Sequence, residues 1–507
     1  MPYETVTGYC WPQSVDPGQS VALHLSSAGD RVVDVEIARV GAERALVWRG
    51  EVAAEFHDLP ADAATNGCDW PAAKTIPVGE NWASGYYEMT MTIEVDGRTR
   101  RDHAFFVVRP TGRSANRILL QLATNTWHAY NDVGGTNLYL GATQASLLRP
   151  MTRGLLEKPP GAGRRVVSTT EPDPDMATYN GYLLMNRLSF WVGFAGWPNW
   201  ELPFLCWAER EGYGIDVVCN TDLEDHADIV ERYDLLLSVG HDEYWSAPMR
   251  DTVEDFIARG GNVAFLSGNT AFWQVRLEDR VDDQGPATTM VGYKSQLKKD
   301  PVYGTERQAE LTSMWSDHLV ERPENHMTGV SFSRGGYHRI GKRVTNGAGA
   351  YTVHRADHWL FDGTEIGYGD VLGAEATVVG YECDGCDFTY VDGLPHPTGS
   401  DGTPSDFTIL ATAPAAHFTR TTSMAGVPTD QPSELEFIAS RLFAERDDAA
   451  TARIANGHAV FGTYTSPGGG TVVTSGSTEW AHGLAERDPQ IEQITRNLLD
   501  RLGGSRR

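Results

Sequence analysis

The sequence predicts an α/β protein: a largely parallel sheet covered on both faces, preceded by a smaller antiparallel β-sandwich. Three observations lead there. Uninterrupted apolar runs such as "RILLQLA" (117–123), "DLLLSVG" (234–240) and "NVAFLSG" (262–268) are what strands buried on both faces require. Helical patterns stand between these runs, and alternation of strand and helix implies parallel pairing. The first 110 or so residues instead alternate apolar and polar positions between turn residues, with no convincing helix.

Taken in order, "SVALHLSS" (20–27) and "VVDVEIARVG" (32–41) are β-rich, and "GYYEMTMTIEVDG" (85–97) alternates before a turn. "HAFFVVRP" closes the segment, and Pro110 with "TGRSAN" marks a boundary. Residues 1–112 are therefore expected to form an immunoglobulin-like β-sandwich, and 113–507 an α/β catalytic domain. In the second part "PFLCWAEREGYG" reads as a helix with a glycine stop, "IDVVC" as a strand, and "ADIVERY" as a short helix leading to "DLLLSVG". The helix after Ser246 carries Met249, Val253, Phe256 and Ile257 on one face, and Gly260 and Gly261 end it. From about 280 to 420 the chain is rich in Gly, Asp and His, with short strand candidates "TVVGYEC" and "FTILATA"; this stretch is expected to be an insertion around the sheet. "HAVFGTYT" and "GTVVTSGSTEW" resume the strands, and "PQIEQITRNLLDRL" makes a closing amphipathic helix.

Composition narrows the function classes. With 42 Lys and Arg against 68 Asp and Glu, the formal net charge is −26, which argues against nucleic acid as the main partner. No window has the apolar length needed to cross a bilayer, and "MPYETVTGYCWPQ" lacks the basic and apolar regions of a signal peptide, so a cytoplasmic setting is expected. Six cysteines do not make a disulfide framework. "CDGC" (383–386) is half of a metal or redox motif; without a second pair or a following helix, it reads as packing.

In an open parallel sheet, ligands sit at the carboxyl ends of the strands. Four loops leave such ends with unusual polar content: "TNTWHAYNDVGGTNLY", "GHDEYWS", "SGNTAFW" and "SGSTEW"; "GYECDG" around Glu382 is a fifth candidate. The path strand, Gly240, polar turn, helix resembles a nucleophile elbow, but its tip holds His241 rather than Ser or Cys. His241 and Glu243 remain suited to proton transfer or to holding a metal. The bland alternative is a helix cap, with Asp242 and Glu243 favouring the helix dipole. Tyr130 could serve as a phenolate ligand, which needs a strongly Lewis-acidic ion, or could be a loop tyrosine stacked on Trp127. Asn269 could donate to a developing oxyanion, or could be a turn residue.

Together, "TWHAYNDVGGTNLY", "GYGIDVVCNTDLE", "VGHDEYWS", "GGNVAFLSGNTAFWQVR" and "GYECDG" resemble the large (β) subunit of N,N-dimethylformamidase and its relatives, over most of residues 117–395. The closing "TVVTSGSTEWAHGL" also fits, whereas the N-terminal sandwich is a looser match, and longer family members carry an extra sandwich domain. The resemblance implies a glutamine-amidotransferase-like core with a mononuclear iron (Fe3+) held by tyrosine and glutamate. Tyr130 and Glu243 match metal ligands; His241 and Asn269 match residues that either stand behind the ligands or face the substrate, and Glu382 matches a glutamate of the active site. A second ligand tyrosine is implied a few dozen residues after the first, but "RRVVSTTEPDPDMATYNGYLLMN" does not place one there; Tyr179, Tyr182, Asp173 and Asp175 are the alternatives. The implied reaction is hydrolysis of a small amide, with iron as a Lewis acid, His241 or Glu382 moving protons, and Asn269 stabilising the tetrahedral intermediate. A small partner subunit and a homo-oligomer are further expectations. Two other readings are a different hydrolase or lyase using zinc, manganese or another divalent metal, and a carbohydrate- or partner-binding protein on a degenerate scaffold.

Overall fold

The computed structural model describes residues 6–112, 115–158, 176–280, 285–340, 344–345, 347–422 and 432–504. Near the N-terminus, strands Thr7–Trp11, Ser20–Ser26 and Ala72–Pro77 form one antiparallel sheet. Ser14–Val15, Arg98–Val108, Gly85–Val95, Arg31–Val40 and Arg44–Ala54 form a second, in that order. Alternate residues turn inward: Val21, Leu23 and Leu25 share a buried core with Val33, Val35, Ile37, Met89 and Met91. The hairpin Gly85–Val95/Arg98–Val108 closes through Asp96 and Gly97, both at positive φ, as a two-residue loop demands of strands with right-handed twist. A short helix, Ala63–Asn66, interrupts this otherwise all-strand region.

The main sheet has nine strands: Ile215–Cys219, Ile118–Leu122, Leu235–His241, Asn262–Gly268, Thr471–Thr474, Gly457–Thr465, Thr408–Ala415, Tyr351–Val353 and Val371–Leu372, in spatial order. The first five are mutually parallel and the remainder antiparallel. Strand Ile118–Leu122 is buried at every position because both of its faces are covered. Its Ile118, Leu120 and Leu122 join the cluster under helices Glu201–Arg210, Trp480–Ala485 and Pro489–Leu502. Leu119, Leu236, Val263 and Phe265 point the other way, onto Met249, Val253, Phe256 and Ile257 of helix Ala247–Ala258. Each such large apolar side chain contributes about 1.5–3 kcal/mol of burial.

The 280–420 stretch departs in part from an insertion. Thr408–Ala415 and Tyr351–Val353 belong to the main sheet, because Thr408–Ala415 can pair along Gly457–Thr465 and bury alternate residues in both clusters. The remainder folds over the strand ends. Cys383–Gly385 pairs with Ser331–Gly336, and Cys383 also bridges Ser477, which brings the neighbouring Glu382 above the parallel strands.

Candidate active site

At the end of strand Leu235–His241, Gly240 turns the chain at φ 86°; a Cβ there would lie 2.3 Å from Cβ of Trp200, so only glycine fits. The next three residues divide by orientation. Asp242 points back into the sheet, accepting hydrogen bonds from Ser238 Oγ at 2.7 Å and from the Gln121 side chain; burial raises its carboxyl to about 6. His241 and Glu243 face the opposite way. The helix that follows is capped by Ser246, whose Oγ accepts from the Met249 amide, so His241 is not the cap.

Glu243 is the meeting point. Its backbone is held by Thr126 Oγ1, which accepts from the Glu243 amide at 2.9 Å, and by its carbonyl accepting from the Trp273 amide at 2.9 Å. Its Oε1 accepts from the Tyr139 hydroxyl at 2.5 Å and from Trp273 Nε1 at 2.7 Å. The Tyr130 hydroxyl lies 3.1 Å from Oε2 and 2.8 Å from Tyr139 Oη. Tyr130 ends helix Thr124–Tyr130, with Tyr139, Trp191, Phe194 and His241 around its ring rather than Trp127. Burial, then the charge of Glu243, pushes both phenols well above their ordinary range.

His241 is held at Nδ1 and faces two carboxylates at Nε2. Nδ1–H donates to the Phe194 carbonyl at 2.6 Å, which turns Nε2 toward Glu382 Oε2 at 2.6 Å and Glu243 Oε2 at 3.4 Å. Burial opposes the imidazolium, but the two carboxylates outweigh it and raise its pKa to about 9. Asn269 Nδ2 donates to Glu382 Oε2 at 3.1 Å, while its Oδ1 is buried without a hydrogen-bond partner among the described residues. Asn269 stands at φ 51°, held there by Asp384, which accepts from the Asn269 and Thr270 amides at 2.7 and 3.0 Å. Its donor therefore serves Glu382 first, leaving one amide hydrogen for a ligand.

Sequence reasoning missed two residues here. Tyr139 lies within the quoted "TNLY". The signal was the Gly134–Gly135 pair: both glycines have positive φ, and the reversal lets the Leu138 amide reach the Ala129 carbonyl, setting the two tyrosines side by side. Lys294 gave no motif. Its ammonium donates to Tyr244 Oη at 2.7 Å and sits 3.4 Å above the Tyr139 ring, with burial lowering its pKa to about 8. Tyr139 is 37% exposed although its hydroxyl is covered, so its ring forms the outer wall of the site. Of the alternatives for a second ligand, Asp173, Asp175 and the side chain of Tyr179 lie outside the described residues. The Tyr182 hydroxyl has no hydrogen-bond partner among the described residues, and so does not touch Glu243. Cys383 and Cys386 are buried thiols, pushed well up by burial, and take no part.

Among the described residues no three His, Cys, Asp or Glu side chains form a metal-binding group, so an ion here has to draw on tyrosine oxygen. The donor set fits one. The Tyr139 hydroxyl lies 2.5 Å from Glu243 Oε1, the Tyr130 hydroxyl 3.1 Å from Glu243 Oε2, and the two hydroxyls 2.8 Å from each other, close to the ~3 Å edge expected between ligands bound at ~2 Å to a small hard cation. Such an ion would displace the phenolic protons and take over the stabilisation of Glu243.

A family model described as "N,N-dimethylformamidase beta subunit-like, C-terminal" matches residues 34–493. Two curated relatives, each named N,N-dimethylformamidase beta subunit, are 27% identical: one from Paracoccus aminophilus over 227 residues, one from Alcaligenes sp over 230. Each alignment covers 41% of this chain and 28% of the relative, so the chain matches just over a quarter of their length. Among solved structures, one chain from a structure titled "Structural basis of T cell specificity and activation by the bacterial superantigen toxic shock syndrome toxin-1" aligns over 20% of this chain and 98% of its own, at 12% identity and a TM-score of 0.14, too low to bear on the fold.

Proposed function

The chain belongs to the N,N-dimethylformamidase beta subunit-like, C-terminal family, and from that premise we propose that it is a metal-dependent hydrolase, using iron, that cleaves the C–N bond of a small amide such as an N-alkylformamide. On the same reading, the core is glutamine-amidotransferase-like. The observation that carries the proposal is the meeting of two phenols and one carboxylate from three separate segments, with His241, Glu382 and Asn269 beside them.

Tyr130, Tyr139 and Glu243 would hold the ion; hard oxygen donors of this kind suit Fe(III). When bound, it supplies Lewis acidity toward the amide carbonyl. The protein's own groups do the rest. The second amide hydrogen of Asn269 is available to the oxygen that gains charge as water adds to the carbonyl carbon. Glu382 accepts a proton from that water, and His241, clamped by Phe194, gives one to the departing amine as the C–N bond breaks. The imidazole regains its proton from Glu382 across their 2.6 Å contact. Lys294 over the Tyr139 ring favours the phenolate and keeps a charged group at the wall of the site.

Purified protein should carry about one iron per chain and show a phenolate-to-iron absorption band in the visible. A screen of formamides and other small amides should find turnover. If Tyr130→Phe and Glu243→Ala both keep full iron content, the reading is wrong. Because the matched relatives are named as beta subunits, we infer that this chain also works with a small partner subunit, testable by co-purification and mass measurement.

A further inference from the structure

A cavity of about 490 Å³ lies where the N-terminal sheets meet the α/β core, away from the active site. Three separate segments bring arginines to it: Arg98, Arg100 and Arg101 from strand Arg98–Val108, Arg153 from the loop after Arg149, and Arg187 just beyond helix Met176–Asn186. In a chain of net charge −26, this concentration of guanidinium runs against the overall composition. Two carboxyls share the lining, and both are engaged. Glu157 contacts His103 Nε2 at 3.2 Å, and Asp102 accepts hydrogen bonds from the Thr7 side chain and the His103 amide. Arg98, Arg101, Arg153 and Arg187 are exposed; Arg153 lies near enough to Asp102 for its charge to favour that carboxylate.

Arginines along one strand could simply deter edge-to-edge pairing. That purpose does not require Arg153 and Arg187, which come from other segments; Arg187 stands at φ 55°, a left-handed conformation that the preceding helix end imposes. The cavity is concave and in the size range of small-molecule sites, and planar guanidinium groups from several directions match oxyanions with two or more charged groups. We propose that this pocket binds a multiply charged small oxyanion, phosphate-bearing or polycarboxylate, that bridges the N-terminal sheets to the core. The segments it joins continue into the active site. Arg149 donates to the Asn131 carbonyl next to Tyr130, and Trp191, four residues after Arg187, stacks 5.4 Å from Tyr139. Occupancy therefore ties the strand carrying Arg98 to both walls of that site.

The test uses the full chain with phosphate, pyrophosphate and citrate, by calorimetric titration and thermal unfolding, against sodium chloride of matched ionic strength. Saturable binding with a raised Tm is expected, tighter for pyrophosphate or citrate than for phosphate. Pyrophosphate ahead of citrate supports a phosphate-bearing ligand, and the reverse supports a polycarboxylate. Charge reversal in the pair Arg101→Glu/Arg153→Glu should weaken binding by about tenfold or more, as loss of charge-assisted contacts implies. Arg259→Glu, outside the pocket, should leave binding unchanged. Should the reversed pair fail to fold, Arg98→Gln/Arg187→Gln gives the same comparison with less perturbation. The proposal is overturned if no probe binds beyond the salt reference, or if a folded arginine variant binds like the original.

Discussion

Strands Leu235–His241 and Thr471–Thr474 both release a histidine and a glutamate into buried surroundings at their carboxyl ends, yet the two pairs are used differently. Past Thr471–Thr474, Glu479 and His482 are in close contact with each other, and His482 Nε2 lies 3.2 Å from the Asn199 carbonyl, so the pair ties helix Trp480–Ala485 to the segment before helix Glu201–Arg210. Past Leu235–His241, Glu243 and His241 are crowded by groups from other segments: Tyr130, Tyr139, Trp273, Lys294, Asn269 and Glu382. The first pair joins two neighbouring segments and acts as a strut. The second has more donors and charges than a strut requires, which is the sign of a group kept ready for something else.

The sharpest way to break this comparison is Glu243→Ala. If the proposed function holds, metal content measured by mass spectrometry should fall from about one ion per chain to near zero, since Glu243 is one of the three groups proposed to hold the ion. A comparable loss from His482→Ala would erase the distinction. Next in size, His241→Gln should keep the metal and lower kcat by about 10²–10⁴-fold, the range for loss of a positioned acid or base. His482→Ala should instead cost about 1–3 kcal/mol in unfolding free energy, as for a buried carboxyl that loses its partner, with kcat of the folded fraction unchanged. Lys294→Met should weaken metal affinity by about 10–100-fold and shift the visible band, because the ammonium above Tyr139 no longer favours its phenolate. An unshifted band would show that Lys294 acts on Tyr244 alone.

The sequence was informative where one segment decided the outcome. The apolar runs at 117–123, 234–240 and 262–268 coincide with strands Ile118–Leu122, Leu235–His241 and Asn262–Gly268, because burial on both faces leaves no other pattern. Tyr130, Glu243, His241, Asn269 and Glu382 come together because each follows a strand end or is bridged to one. What stayed hidden was set by distant contacts. Tyr139 depends on a glycine reversal packing against Ala64, and Lys294 is itself left-handed, with its amide bonded to the Thr312 carbonyl. Strand Thr408–Ala415 looked like part of an insertion because its partner, Gly457–Thr465, lies some fifty residues on.

The smallest predicted effect concerns a third buried carboxyl, which has few of the compensations Glu243 enjoys. Glu201 accepts from Trp127 Nε1 at 3.2 Å and faces the charge of Asp242; burial, first, and that neighbour raise its pKa to about 8, even though hydrogen bonds oppose the shift. Between about 4.5, the ordinary carboxyl value, and 8, the folded state holds a proton that the unfolded state has released, so stability falls as pH rises through that window. Glu201→Gln removes the proton linkage and keeps an oxygen for the Trp127 indole. Thermal unfolding should therefore show little difference from the original at pH 4.5 and a gain on the order of 1–3 kcal/mol at pH 8. If the variant is equally destabilised at both pH values, Glu201 is a packing residue whose charge is already balanced. The contrast with Glu243 would then rest on ligand geometry alone, not on how each carboxylate is stabilised.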